Sequence, residues 1–343
     1  MKNKILIGLI MIFVMIASFL IMPRGIQANG SAIIVMEQSS GRVLHEVNAH
    51  SQVLIASTVK VLTAIIAIES GLLYDLVVID DYVLKSYGSG VYVKPGEELL
   101  LIDLVYGLML RSGNDAALAI ARKVSGSEEA FAKLMNNFAA SIGAKNSVFV
   151  NPHGLDNTNQ NRVTAHDLAL IYRYAMKNEV FREINATKQY KLTTNKNNYL
   201  WNNKNKLLKQ FEYTTGGKTG YTEKSGKSLI SSAKKNDMEL IVVTINNGGH
   251  YTTHKSLYNQ FFSSHTIETI VDKANFEVPE DKYYDELVVR ENIYFPLSAD
   301  EKKDIRTRVT LEKNGKPGKV GIISVYFKEK QVGKTDIYYR KSR

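Results

Sequence analysis

The sequence has no cysteine, only six prolines and a single tryptophan among 343 residues. Without cysteine there is no disulfide scaffold, thiol nucleophile, Cys-ligated zinc, iron–sulfur cluster or N-terminal lipoprotein cysteine. Internal repeats and low-complexity stretches are also missing. With 44% hydrophobic and 23% charged residues, the composition excludes a mainly disordered chain. Such a length and apolar content suffice for one large core and a small second one.

Acidic residues are the scarcer sign, 34 Asp+Glu against 44 Lys+Arg, for a formal charge of +10. Residues 1–28 hold Lys2, Lys4 and Arg24 and no acid, while residues 301–343 hold thirteen Lys+Arg against five Asp+Glu. The stretch between them, 29–300, is therefore one charge negative. The basicity belongs to the two ends, so no nucleic-acid partner is expected. An anionic wall polymer or membrane surface met by the C-terminal segment is the expected polyanion.

Lys2 and Lys4 precede an uncharged apolar run, Ile5–Met22, followed by Pro23-Arg24-Gly25 and the small-residue stretch Ile26-Gln27-Ala28. This is the pattern of a secretory signal cleaved after Ala28. The run is also long enough to stay as a membrane anchor. Either outcome places the remainder outside the cytoplasm, secreted or held at the outer face of the membrane.

Alternating apolar residues predict strands at Ser31–Met36 and Val43–Val47 around the turn Ser39–Arg42. Ser57–Ser70 reads as a helix stopped by Gly71, and its apolar residues run nearly all round, which places it inside a domain. Helical patterns follow at Glu98–Met109, Asn114–Val124, Glu128–Ile142 and Ala165–Met176. Strands return at Ser228–Ala233 and Glu239–Ile245, with a last helix near His254–Phe262. The fold class is therefore α+β, a sheet built from both ends of the domain and covered by helices. Beyond it, Arg308–Leu311, Val320–Phe327 and Thr335–Tyr339, with turn signals at Asn314-Gly315 and Pro317-Gly318, predict a small all-β domain. The expected division is 1–28, 29–270 and 271–343.

Three short motifs carry chemistry. Ser57-Thr58-Val59-Lys60 sets a hydroxyl and an amine on one face of a helical first turn. Serine needs a base to become a nucleophile, and lysine serves as one when burial and the helix N-terminus lower its pKa. Ser112-Gly113-Asn114 lies between two helical patterns, either as a helix cap or as a second hydroxyl beside an amide. Lys218-Thr219-Gly220, just ahead of a strand, offers cation, hydroxyl and open backbone to an extended substrate with a terminal carboxylate.

In this order and spacing the motifs resemble those of the penicillin-recognising serine peptidases. More closely, the chain resembles the low-molecular-mass D-alanyl-D-alanine carboxypeptidases, peptidase family S11, from about Ser31 to Phe262. Ile55–Ala64, Leu110–Ala117, Asn151-Pro152-His153-Gly154-Leu155 and Gly217–Thr222 carry the likeness. The resemblance implies a penicillin-binding, serine β-lactamase-like fold with an antiparallel sheet, and a cleavage between two D-alanines of a peptidoglycan stem peptide. Ser57 would be the nucleophile, Lys60 its base, and Ser112 with Lys218 the path of the proton to the leaving D-alanine. Asn114 would hold the substrate amide, Lys218, Thr219 and Gly220 its carboxylate end, and the backbone N–H groups of Ser57 and Tyr221 the oxyanion. β-Lactams would be covalent inhibitors, and no cofactor or metal is required.

Some positions depart from the family pattern. Tyr221 stands where some relatives have histidine, Lys206 is read as standing where some carry a site arginine, and Ser225-Gly226-Lys227-Ser228 replaces an apolar stretch. An amphipathic C-terminal anchoring helix is not expected, which leaves the N-terminal segment or charge for any membrane attachment. A D,D-endopeptidase shares the same chemistry, and an inactive wall-binding homologue shares the same fold. A β-lactamase would need a deacylating carboxylate, and Glu128 and Glu129 have the wrong spacing from Asn136. His250-Tyr251-Thr252-Thr253-His254 would set two histidines on one helical face. No glutamate lies between them and two glycines precede them, so a surface turn is expected there, and His153 is expected in a structural turn.

Overall fold

A computed structural model describes residues 31–156, 160–277, 287–311 and 318–339. The expected signal segment 1–28, the turn signal Asn314-Gly315 and Pro317 lie outside the described residues.

Ala32–Glu37 (β1) and Val43–Val47 (β2) pair as expected, and three later strands, Thr214–Thr222 (β3), Gly226–Lys235 (β4) and Met238–Ile245 (β5), join them. The sheet order is β2-β1-β5-β4-β3, antiparallel throughout. Strands from both ends of the domain thus meet at its centre, β1 against β5. All eight β5 residues are buried, which only a strand covered on both faces requires.

Among the described residues, seven α-helices of six or more residues surround this sheet: Lys60–Glu69 (α1), Leu101–Tyr106 (α2), Asn114–Ser125 (α3), Glu128–Ser141 (α4), Ala165–Ala175 (α5), Glu179–Ala186 (α6) and His250–Ser264 (α7). Alternate sheet residues divide between two cores. Ile34, Met36, Ile241 and Val243 join the large core built with α1–α6, whereas Val35, Leu240 and Val242 pack under Leu257, Tyr258 and Phe261 of α7. Helix α1 is buried from Lys60 to Ile68, the consequence of its apolar residues running all round.

Two helical expectations shift. Glu98–Leu100 is not helical but pairs with Leu76–Val78. Leu100 is extended, and its N–H donates to the Asp103 carboxylate at 2.9 Å, so the helix starts only at Leu101. The last helix spans His250–Ser264, longer at both ends than the expected His254–Phe262. Helix α6 and the ribbon Gln189–Thr193/Asn198–Asn202 extend the expected set.

The two histidines thought to lie in a surface turn are in α7. His250 opens the helix, and His254 is fully buried. The His254 ring bonds Ser231 Oγ at 2.7 Å through Nδ1 and Thr244 Oγ1 at 3.1 Å through Nε2, so it bridges the sheet to the helix. Among the described residues no group of three or more His, Asp or Glu side chains is placed to hold a metal ion.

Thr266–Val271 crosses the expected division at 270/271 and pairs with Ile293–Leu297. A four-stranded sheet follows, in the order Leu287–Val289, Lys330–Tyr339, Lys319–Phe327, Ile305–Leu311, over a core of Val271, Leu287, Val289, Ile323, Val325 and Ile337. Arg42, at the β1–β2 turn, reaches this β-rich part. Its guanidinium lies 4.4 Å from the centre of the Phe327 ring and 5.1 Å from that of Phe295, and it pairs with Glu301 at 2.5 Å. That pairing, with the Ser298 N–H bond, outweighs burial and lowers the Glu301 carboxyl to about 2.

Burial, with the nearby His250, holds the His254 imidazole well below the usual histidine value. Folded His254 is therefore neutral, while in the unfolded chain it titrates near pH 6.5. Above that pH neither state is protonated. Below it the unfolded state takes up the proton first, so stability falls by up to about 1.4 kcal/mol per pH unit. Urea unfolding at pH 7 and pH 5 should show a larger loss for wild type than for His254→Gln; equal losses would remove His254 from the account.

Candidate active site

Ser57 opens the 3₁₀ turn Ser57–Val59, which runs straight into α1 and puts Lys60 one turn on. No side chain caps this turn, so its first N–H groups stay free of side-chain acceptors. Lys60 is fully buried. Its Nζ lies 3.0 Å from Ser57 Oγ and 2.7 Å from Asn114 Oδ1, and it also donates to the carbonyl of His153. Three acceptors match the three hydrogens of an ammonium. A neutral amine has two hydrogens, which Asn114 and His153 can take while the lone pair faces the Ser57 hydroxyl. Burial first, then the charges of Lys218 and Lys204, lower the Lys60 pKa well below its usual value, against the pull of Asp115.

The turn carrying His153 is pressed against the serine. Gly154 has φ +86°, and a Cβ there would sit 2.3 Å from the Ala56 carbonyl oxygen and 2.9 Å from the Ser57 nitrogen. Asn151 Oδ1 accepts the N–H groups of His153 and Gly154 at 3.3 and 2.7 Å, and Thr63 Oγ1 donates to the Pro152 carbonyl at 2.7 Å.

Ser112 follows a π-helical turn, Gly107–Arg111, and takes left-handed angles, φ 64° and ψ 35°. For a residue with a side chain this costs about 1–3 kcal/mol, held by the surrounding structure. Neither Ser112 nor Asn114 caps α3; Gly113 stands at the N-cap without a side-chain bond. The Asn114 amide is engaged by the protein at both ends, its oxygen on Lys60 and its nitrogen on the Tyr87 carbonyl at 2.6 Å. It orients the amine, and one N–H remains for the substrate contact expected of it.

Strand β3 is an edge of the sheet, with no partner strand on its outer side. Lys218 is buried; its Nζ bonds Ser112 Oγ at 3.0 Å and the Thr219 carbonyl at 2.8 Å. Burial and the nearby Lys204 bring its pKa down to about 7. A Cβ on Gly220 would lie 3.1 Å from the Thr58 nitrogen, so glycine lets β3 approach the start of the Ser57 turn. The Tyr221 side chain is 63% exposed. Asn185, from α6, steers the approach of β3: its Oδ1 accepts the Gly217 N–H at 2.9 Å.

Ser57, Ser112, Thr219, Gly220 and Tyr221 converge on one cleft of about 330 Å³. Lysine 204, not Lys206, lines it, together with Ser89, Lys227, His250 and Tyr251. The Lys204 amine donates to Ser89 Oγ at 3.0 Å, and burial and Arg111 lower its pKa. The two lysines flank the buried Asn205, and only the first turns inward; a two-residue step on an irregular segment carries no periodicity that would separate them. Asn185, Ser89 and the His153 carbonyl were equally invisible, because each acts through the backbone or through a loop.

A family model described as D-alanyl-D-alanine carboxypeptidase, Peptidase S11, matches residues 21–249. The D-alanyl-D-alanine carboxypeptidase DacF of Bacillus subtilis is 33% identical over 216 residues, covering 61% of this chain and 55% of that protein. DacB2 of Mycobacterium tuberculosis is 36% identical over 210 residues, 61% of this chain and 72% of that one. The chain thus spans little more than half the length of the first of these relatives. Among solved structures, penicillin binding protein 5 from Haemophilus influenzae matches with a TM-score of 0.74 at 25% identity, over 93% of this chain and 98% of that one. A D-alanyl-D-alanine carboxypeptidase from M. tuberculosis H37Rv matches with a TM-score of 0.65 at 31% identity, over 68% and 90%. The fold is the penicillin-binding, serine β-lactamase-like one, with a small β domain after it.

Gly154→Ala forces either the left-handed turn or the Ala56–Ser57 backbone to move. Thermal unfolding should show a loss of about 2–4 kcal/mol. Full stability would contradict the close packing.

Proposed function

The chain belongs to the peptidase S11 family, and we propose that it is a serine D-alanyl-D-alanine carboxypeptidase that trims the terminal D-alanine from peptidoglycan stem pentapeptides. One observation carries the reading: a buried lysine amine, its pKa lowered by that burial, lies 3.0 Å from a serine hydroxyl at the mouth of a cleft.

Ser57 Oγ attacks the carbonyl carbon of the penultimate D-alanine, and its proton passes to Lys60 Nζ. The resulting oxyanion meets the backbone N–H groups of Ser57 and Tyr221, where each donor of this kind contributes about 3 kcal/mol. Lys218 and Thr219, with Lys204 beside them, take the terminal carboxylate. As the C–N bond breaks, the leaving amine receives a proton through Ser112 and Lys218. Water then attacks the ester, gives its proton to Lys60, and Ser57 is restored. A β-lactam acylates the same oxygen, but its leaving amine stays tethered within the opened ring. Deacylation by a carboxylate, as a β-lactamase requires, has no support from Glu128, which is held by His153 and Tyr82.

The same proposal places the enzyme outside the cytoplasm, carried there by residues 1–28, with the division between its two later parts moved to just before Thr266, where the strand that pairs with Ile293–Leu297 begins. Among the described residues no helix is long and apolar enough to cross a membrane. The exposed Arg306, Arg308 and Lys334 of the last sheet make anionic wall polymer or lipid the proposed partner of that part.

Ser57→Ala should fold normally, take no covalent label from a fluorescent penicillin and release no free D-alanine; label retained in this variant would refute the assignment. Wild-type activity should survive EDTA. The charge of Lys218 is lost as pH rises through about 7, so KM for a D-Ala-D-Ala peptide should rise between pH 6 and pH 8.5. A KM that stays flat across that range would take Lys218 out of carboxylate binding.

A further inference from the structure

Lys60 has three acceptors, and one of them, Ser57 Oγ, is consumed in the reaction. The amine is therefore aimed by the other two, Asn114 Oδ1 and the His153 carbonyl. The direction of that carbonyl depends on the 153–154 peptide plane, and the His153 side chain is fixed at both nitrogens. Nδ1 accepts the Leu155 N–H at 3.1 Å, so the hydrogen sits on Nε2, which faces Glu128 Oε1 at 3.1 Å. Glu128 is in turn held by the Tyr82 hydroxyl at 3.2 Å. It also stands at the first position of α4, where the helix N-terminus favours a carboxylate.

We propose that Glu128 and the His153 imidazole are positioning residues for Lys60: they lock the 153–154 peptide so that its carbonyl takes one amine hydrogen and leaves the lone pair on Ser57. The inference rests on the acyl-enzyme reading of Ser57.

This lock works in one protonation state. A proton on Nδ1 would face the Leu155 N–H, two donors against each other, and the ring would have to turn. The groups facing the imidazole are Lys60 from α1 and Glu128 from α4. Tyr82, Lys85 and Glu129 line the same cavity of about 320 Å³. Burial holds the imidazole below its usual value and Lys60 adds to this, while the Glu128 contact works in the opposite direction. His153 and Glu128 keep 12% and 22% side-chain exposure, so protons reach them without crossing the substrate cleft.

The test uses the full chain and a fluorescent penicillin, recording the acylation rate against pH while NMR follows the His153 ring. Glu128→Ala should acylate about tenfold more slowly at pH 7.5, the cost of a misaimed base, with the non-covalent binding step unchanged. Glu128→Gln still accepts the Nε2 hydrogen and should recover much of that loss. Its acid limb and its ring titration should move together to lower pH, because the charge that favours imidazolium is gone. Acylation of Glu128→Ala at the wild-type rate would overturn the inference, as would an acid limb in Glu128→Gln that does not follow the ring. Wild type that takes no label at all would instead sink the Ser57 reading itself.

Discussion

Two lysine amines, Lys60 and Lys218, are buried with no carboxylate bonded to either among the described residues. Everything around the cleft follows from that constraint. An ammonium taken out of water without a counter-ion is expensive, so the proton is held loosely and the amine becomes a base. Each lysine raises the cost for its neighbour: Lys218 and Lys204 are the named charges that depress Lys60, and Lys204 depresses Lys218. The acceptors supplied are neutral ones, namely hydroxyls, an amide and backbone carbonyls. These orient the nitrogen without restoring its charge.

The fold supplies this burial at some local cost. Helix α1 is apolar all round because its N-terminal turn must reach the centre of the domain with Lys60 inside. Ser112 is forced into left-handed angles at the end of a π-helical turn. Glycines at 154 and 220 remove side chains where the turn and β3 press on the backbone of the serine's turn. Arg42, between two phenylalanine rings and Glu301, ties the far edge of the main sheet to the β-rich part, well away from this chemistry.

Much of this is legible in the chain. A serine and a lysine three residues apart in a helical first turn must face the same way, and the apolar run behind them announces burial. The central strands show because β-branched residues cluster in them. Less visible is whatever depends on the path of a loop. Lys204 and Lys206 look alike until the segment between the ribbon and β3 is traced, and the structure turns the first of them into the cleft. His254 reads as a surface residue beside two glycines, yet it is buried because Ser231 and Thr244 of the sheet satisfy both its nitrogens. Glu98–Leu100 looks helical, but Leu76–Val78, some twenty residues earlier, claims it as a strand.

The central claim is that burial makes Lys60 give up its proton far more readily than an ordinary lysine, as the proposed proton transfer from Ser57 requires. Its most direct test is an NMR titration of the Lys60 side-chain nitrogen in protein labelled at lysine, assigned by comparison with Lys60→Met. The account predicts a midpoint far below the ordinary 10.5 of lysine. A midpoint near 10.5 would contradict it, because a permanently charged Lys60 could not take the proton of Ser57.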